Sequence, residues 1–193
     1  MLEMIIGLII VAVIVIAVVV MYNGLVKART YTQESWSQIS VQLKRRNDLI
    51  PNLVNTVKGY AEHEKGTLSQ VVQLRNQMVD QTSNTNPTTN EREAMMETSN
   101  QLSGTLKSIF ALSENYPDLK ANQEFNKLME ELTNTENKIA YSRQLFNSSV
   151  ASYNIKLQTF PSNLVAKMGS FKPTEYLQVP EEETKTPTVS FDK

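Results

Sequence analysis

One apolar run and two long seven-residue repeats organise this chain. From Met4 to Tyr22, MIIGLIIVAVIVIAVVVMY, the sequence is unbroken apolar, and no charge occurs between Glu3 and Lys27. A hydrocarbon core of roughly 30 Å needs about 20 helical residues at about 1.5 Å each, so the run predicts a membrane-spanning helix. A cleaved signal peptide would show a positive n-region, an apolar stretch of about 7 to 15 residues and small residues at a cut site. The start Met1-Leu2-Glu3 carries an acid and no cation, the run is longer, and VVVMYNG offers no small-x-small pattern. An uncleaved anchor is therefore expected.

Beyond the anchor, Trp36, Leu43, Ile50, Val57, Glu64, Val71 and Met78 step by seven, and Ile39, Arg46, Leu53, Tyr60, Thr67 and Leu74 fill a second core position. This is helical spacing, not strand alternation. Asp80 to Asn90, DQTSNTNPTTN, is rich in turn formers around Pro87 and reads as a loop. Glu91 to about Ser113 is helical again, with Met95, Leu102, Leu106 and Ile109 on one face, and Asn115-Tyr116-Pro117-Asp118 reads as a turn. Phe125, Leu132, Ile139, Phe146, Tyr153 and Phe160 then step by seven, with Leu128, Thr135, Ser142 and Ser149 in the alternate slots. That pattern predicts one helix of about 35 residues, roughly 50 Å long. A short helical piece is expected from Pro161-Ser162-Asn163 through Met168, followed by an irregular end marked by Gly169, Pro173 and Pro180; residues 181–193 have the composition of a disordered tail. The fold class is all-α: an N-terminal transmembrane helix followed by an elongated antiparallel bundle of three to four long helices. The helix count depends on whether Pro51 divides the first. A plain coiled-coil oligomer is the alternative, but the turn-rich segments at 80–90 and 115–118 fit intramolecular packing better.

Charge narrows the function classes. The 193 residues carry 19 Lys and Arg against 20 Asp and Glu. All the cations and every acid but Glu3 follow the anchor, so the remainder is formally neutral. Nucleic acid, which demands a basic surface, is not an expected partner. Lys27 and Arg29 flank the C-terminal end of the anchor, and the positive-inside rule then favours an N-terminus outside and a cytoplasmic bundle, with the opposite topology as the alternative. The sequence has no Cys, which removes lipoprotein attachment, disulfides, thiolate metal sites and a Cys nucleophile.

The stretch QLKRRNDLIPNLVNT, Gln42 to Thr56, sets a basic triplet, an acid and a proline inside the first helical pattern. The heptad passes through Ile50, Leu53 and Val57 without slipping, so Pro51 is expected to mark a kink or a restart near Arg46 to Leu49, with Asp48 as the cap of the new segment. Arg46 falls in a core slot. It is expected to snorkel or to pair with Glu64 or Glu136 across a layer kept small by Thr135 and Ser142. Recognition by Lys44-Arg45-Arg46 is the alternative. Lipid headgroups are excluded as its target, because Arg46 would lie roughly 30 Å beyond the membrane along a rigid helix, and screening acts within about 8 to 10 Å.

These residues also carry a resemblance. The apolar anchor followed by Tyr22-Asn23-Gly24-Leu25-Val26, Trp36, QLKRRNDLIPNLV and ENYPDLKAN at Glu114 to Asn122 resembles the LemA family of bacterial membrane-anchored proteins. Glu136-Asn137, Ser142-Arg143, the spacing from Phe146-Asn147 to Tyr153-Asn154, and Phe160-Pro161 are similar too. The resemblance runs from the anchor to about Phe171. It implies a bacterial cell membrane, a single N-terminal span and a mainly antiparallel bundle; it implies no reaction. The expected domains are an anchor with a short outer end at 1–26, a LemA-like bundle at 27–171 and an irregular, disordered tail at 172–193.

Catalytic constellations are not legible. His63 is the only histidine, so neither an HExxH pair, a Ser-His system nor the paired Glu-x-x-His of a di-iron bundle can form; beside Glu62 and Glu64 it reads as solvated. Glu130-Glu131 and Glu181 to Glu183 read as solvated charge, and no phosphate-binding Gly motif occurs. The aromatics Phe125, Phe146, Tyr153 and Phe160 are expected in the core. No cofactor, metal or small-molecule substrate is expected. The expected partners are the lipid bilayer, through residues 4–22, and either a protein partner or a second copy of the chain. The function expected is that of a non-enzymatic structural or interaction protein; the alternative is a regulatory accessory subunit of a membrane protease or cell-envelope complex. Lys44, Arg45, Arg46, Asp48, Glu64 and Glu136 are the candidate interaction or structural polar positions.

Overall fold

The structure, a computed structural model, describes residues 1–60, 64–84 and 86–178. The expectations for His63 and for the tail at 181–193 lie outside the described residues. All regular structure among the described residues is helical: α1 (Leu2–Lys58), α2 (Lys65–Thr82), α3 (Thr89–Leu112), a 3-10 turn (Ser113–Asn115), α4 (Pro117–Lys120), α5 (Gln123–Gln158) and α6 (Ser162–Met168). Among the described residues only α1 is long and apolar enough to cross a membrane, and its apolar run is exposed except at the half-buried Val18 and Met21.

The expected restart at Pro51 does not occur. α1 runs 57 residues with Pro51 inside it, and Asp48 is an exposed residue of that helix, not a cap. A proline inside a helix leaves the carbonyl four residues earlier without its N–H. Here that carbonyl belongs to Asn47, and Arg75 Nε of α2 approaches it at 3.5 Å. The burial of Ile50, Leu53 and Val57 on the same face offsets what the proline removes. The chain divides instead after Lys58, where Gly59 and Tyr60 form a turn closed by Tyr60 N–H to the Val57 carbonyl (2.9 Å).

The described chain forms two compact units, residues 1–42 with 137–176 and residues 43–136 with 177–178. In the first, Trp36 meets Phe146 edge-on at 5.8 Å, and Leu25 is buried with Val165 and Ala166, flanked by Val18, Met21, Leu157 and Phe171. Asn154 holds the backbone of Thr174 by two hydrogen bonds (2.8 and 3.1 Å), and Tyr153 Oη donates to the Lys172 carbonyl (3.0 Å), which fastens the irregular segment to α5. Burial raises the Tyr153 phenol above its ordinary value, with Arg29 acting in the opposite direction. In the second, Ile50, Leu53, Val57, Val71, Leu102, Ile109, Leu119, Phe125 and Leu132 form one core. Within each unit α1 and α5 are antiparallel: Gly24 meets Lys156 and Trp36 meets Phe146 in one, Arg46 meets Glu136 and Tyr60 meets Asn122 in the other.

Two expectations need correction. Phe160, expected in the core, is 74% exposed, because α5 ends at Gln158 and the seven-residue phase ends with it. The loop expected over 80–90 is shorter, since α2 continues to Thr82 and a capping box starts α3: Glu91 N–H donates to Thr88 Oγ1 while the Glu91 carboxylate accepts from Thr88 N–H at 2.6 Å. That backbone bond, with the Thr88 hydroxyl and the Asn84 amide, holds the Glu91 carboxyl below its ordinary value of 4.5. A depressed folded value stabilises fully above the unfolded value and is lost as pH falls through the folded one. Glu91→Gln is accordingly expected to flatten the loss of stability below about pH 4.5, read as midpoint against pH in denaturant titrations; an unchanged acid limb would show that the carboxylate does not hold the cap.

Candidate functional site

Three consecutive residues on a helix are about 100° apart, so Lys44, Arg45 and Arg46 cannot share one face. Lys44 is exposed, and Arg45 is half-exposed with Glu131 of α5 at 2.7 Å. Arg46 points inward and is 0% exposed. Arg46 thus does not share a surface patch with Lys44 and Arg45.

Arg46 is the centre of a polar cluster built from three helices. Its Nη1 donates to Glu136 Oε2 on α5 (2.8 Å) and Ser103 Oγ on α3 (2.9 Å), and its Nη2 donates to Ser99 Oγ (2.8 Å) and the Ser99 carbonyl (3.3 Å). Ser103 Oγ lies 2.7 Å from Glu136 Oε1 and can donate to it while accepting from Arg46. Both carboxylate oxygens are therefore engaged, and the guanidinium ties α1 to α3 and α5. Glu136 is one of the two carboxylates the sequence put forward for Arg46. Glu64, the other, stands at the N-terminal boundary of α2.

Sequence reasoning missed Ser99, Ser103 and Asn47. The two serines are four apart, one turn of helix, and that spacing was the available signal. Asn47 is buried, with both side-chain amide atoms out of hydrogen-bond reach of the described residues. Chemically the cluster is a clasp: a guanidinium stays protonated and cannot serve as a base. Among the described residues no group of three His, Cys, Asp or Glu side chains is placed to hold a metal ion. A second feature of the same unit is an open polar cleft of about 400 Å³ lined by Asn52, Asn55, Thr56, Tyr60, Asn122 and Glu124, with Asn122 Nδ2 donating to Tyr60 Oη (3.1 Å).

Comparison with known proteins gives one family. The LemA family model matches residues 35–191. Two magnetosome proteins, MamQ 1 and MamQ 2 of Paramagnetospirillum magneticum, are each 25% identical over 81% of this chain and 64% of their own length. Protein LemA of Metamycoplasma hominis is 28% identical over 75% of this chain and 63% of its own. The chain thus spans just under two-thirds of the length of these curated relatives.

Proposed function

The chain belongs to the LemA family, and on that premise we propose that it is a membrane-anchored, non-enzymatic structural or protein-interaction protein of a bacterial membrane. The observation that carries the reading is the continuity of α1 within the first unit: the helix that presents the exposed apolar run also supplies Leu25, Trp36 and Ile39 to buried positions. Whatever binds that unit is thereby held at the membrane without a flexible linker. The Arg46 cluster favours a structural role over a reaction, since both terminal nitrogens of the guanidinium donate to neighbouring helices. Relatives named as magnetosome proteins support a component of an assembly over a free-standing catalyst. In this reading residues 1–26 are the anchor, 27–171 the working bundle and 172–193 a tail, with the bundle on the cytoplasmic side by the charge of Lys27 and Arg29.

The test uses the full chain with Ser83→Cys, at an exposed position in a protein with no cysteine. A membrane-impermeant maleimide is expected to label it only after lysis, and the detergent-solubilised protein is expected to migrate as a homo-oligomer or with a protein partner. Labelling of intact cells reverses the topology. A monomer bound to one membrane enzyme selects the accessory role. An enzymatic activity that purifies with the chain overturns the reading.

A further inference from the structure

α6 and the turns on either side of it lie against the last turns of the apolar run. Val165 and Ala166 are buried with Leu25, with Val18, Met21 and Phe171 packed around them, and the Tyr22 and Phe171 rings meet edge-on at 5.5 Å. Gly169 allows that closeness: a Cβ there would lie 2.6 Å from Phe171 Cε2 and 3.2 Å from Tyr22 Cε2. The depth of α6 follows from α1. If residues 4–22 fill the hydrocarbon core, Val18 lies about 6 Å inside its boundary, at about 1.5 Å per residue. A helix packed on Val18 and Met21 is carried to the level where acyl chains meet headgroups.

The surface that α6 does not pack against α1 suits that level. Leu164 and Met168, one helical turn apart, are 53% and 80% exposed, and Phe160 projects from the preceding turn. Backbone groups near lipid must be satisfied within the protein, and the groups at both ends of α6 find partners there. Ser162 Oγ reaches the Lys156 and Thr159 carbonyls (2.7 and 2.8 Å), and Leu164 N–H bonds the Pro161 carbonyl (3.2 Å). At the other end Phe171 N–H to the Ala166 carbonyl (3.0 Å) and Ser170 N–H to the Lys167 carbonyl (3.2 Å), with Ser170 at φ 53°, close a Schellman motif. From residue 151 to 176 the charged side chains are Lys156, Lys167, Lys172 and Glu175, all exposed, and Lys27 is exposed on α1. The balance is cationic, as anionic headgroups require.

We propose that this end of the fold is a second membrane contact, in which Phe160, Leu164 and Met168 enter the acyl–headgroup boundary of the leaflet from which α1 emerges, while the lysines meet anionic lipid. Continuity with the anchor selects lipid over a second copy as the occupant, since the exposed face begins where the anchor's own exposed apolar surface ends. The inference rests on reading residues 4–22 as the span.

The test places single cysteines at Met168, Val41 or Val11 of the full chain and labels each with an environment-sensitive fluorophore. The proteins are reconstituted in phosphatidylethanolamine–phosphatidylglycerol vesicles holding lipids spin-labelled at shallow or deep acyl positions. Shallow label is expected to quench Met168 several-fold more than Val41, which is exposed and lies about 28 Å beyond Tyr22 along α1. Deep label is expected to quench Val11. Met168 behaving like Val41, with Val11 quenched, overturns this inference alone. Val11 escaping the deep label overturns the span itself. A Met168 signal that changes with protein density but not with spin label places a second copy there and also overturns it.

Discussion

Arg46→Ala is expected to lower stability by about 3 kcal/mol, the low end of the range for breaking a buried ion pair, in a denaturant titration followed by far-UV circular dichroism. Arg46→Met is expected to cost about 1 kcal/mol or less, because replacing a buried ion by an apolar chain of similar volume is often near neutral. The contrast comes from volume. Either substitution takes the Arg46 hydrogen bond from Ser99 Oγ, but alanine also removes the bulk of a wholly buried side chain. Methionine restores most of that volume. Ser103 Oγ already lies 3.0 Å from the Ser99 carbonyl and can turn to it, and Glu136, at 41% exposure, can turn to water. That exposure keeps the alanine value at the low end. A double-mutant cycle with Glu136→Gln should show coupling of about 0.5 to 3 kcal/mol. Arg46→Ala costing less than about 1 kcal/mol would mean that the guanidinium is not held between the three helices.

The parts of the fold that periodicity made legible are those where burial and helical phase coincide. The seven-residue step from Phe125 to Tyr153 marks buried residues throughout, and α5 spans Gln123–Gln158, close to the length expected. The apolar run and α6 were legible for equally local reasons, length and the break at Pro161. The failures share a cause: an apolar repeat does not register where hydrogen bonds end. The repeat at Val57, Glu64 and Val71 keeps its phase across the division after Lys58, and so hid it, whereas Pro51 looked like a break but sits in a helix whose packing tolerates it. The capping box was readable as Thr-x-x-Glu at Thr88 to Glu91. The cluster was half-legible. A charge in a core slot announces itself, and Glu136 follows from its phase, but serines in helices commonly bond the carbonyl four residues back. Ser99 and Ser103 therefore give no apolar or charge signal of the use that tertiary packing makes of them.

Phe146→Ala is expected to cost about 3 to 5 kcal/mol, the range for deleting a buried phenylalanine, whereas Phe160→Ala is expected to stay within about 0.5 kcal/mol. The two residues occupy the same position of one seven-residue repeat, so periodicity alone assigns them equal costs. Geometry separates them. Phe146 is 1% exposed and its ring stands 71° to that of Trp36, an edge-to-face pair worth about 0.5 to 1.5 kcal/mol beyond the area it buries. Phe160 lies past the end of α5, in the turn before α6. Trp36 is the only tryptophan, so its fluorescence is a direct reporter. Its emission should shift red in Phe146→Ala, as water reaches the indole, and should not move in Phe160→Ala. Equal losses in the two variants would mean that α5 continues in phase past Gln158 and buries Phe160. Because that contradicts the exposed face on which the second membrane contact depends, this pair of titrations also tests the geometry of that contact before any lipid is added.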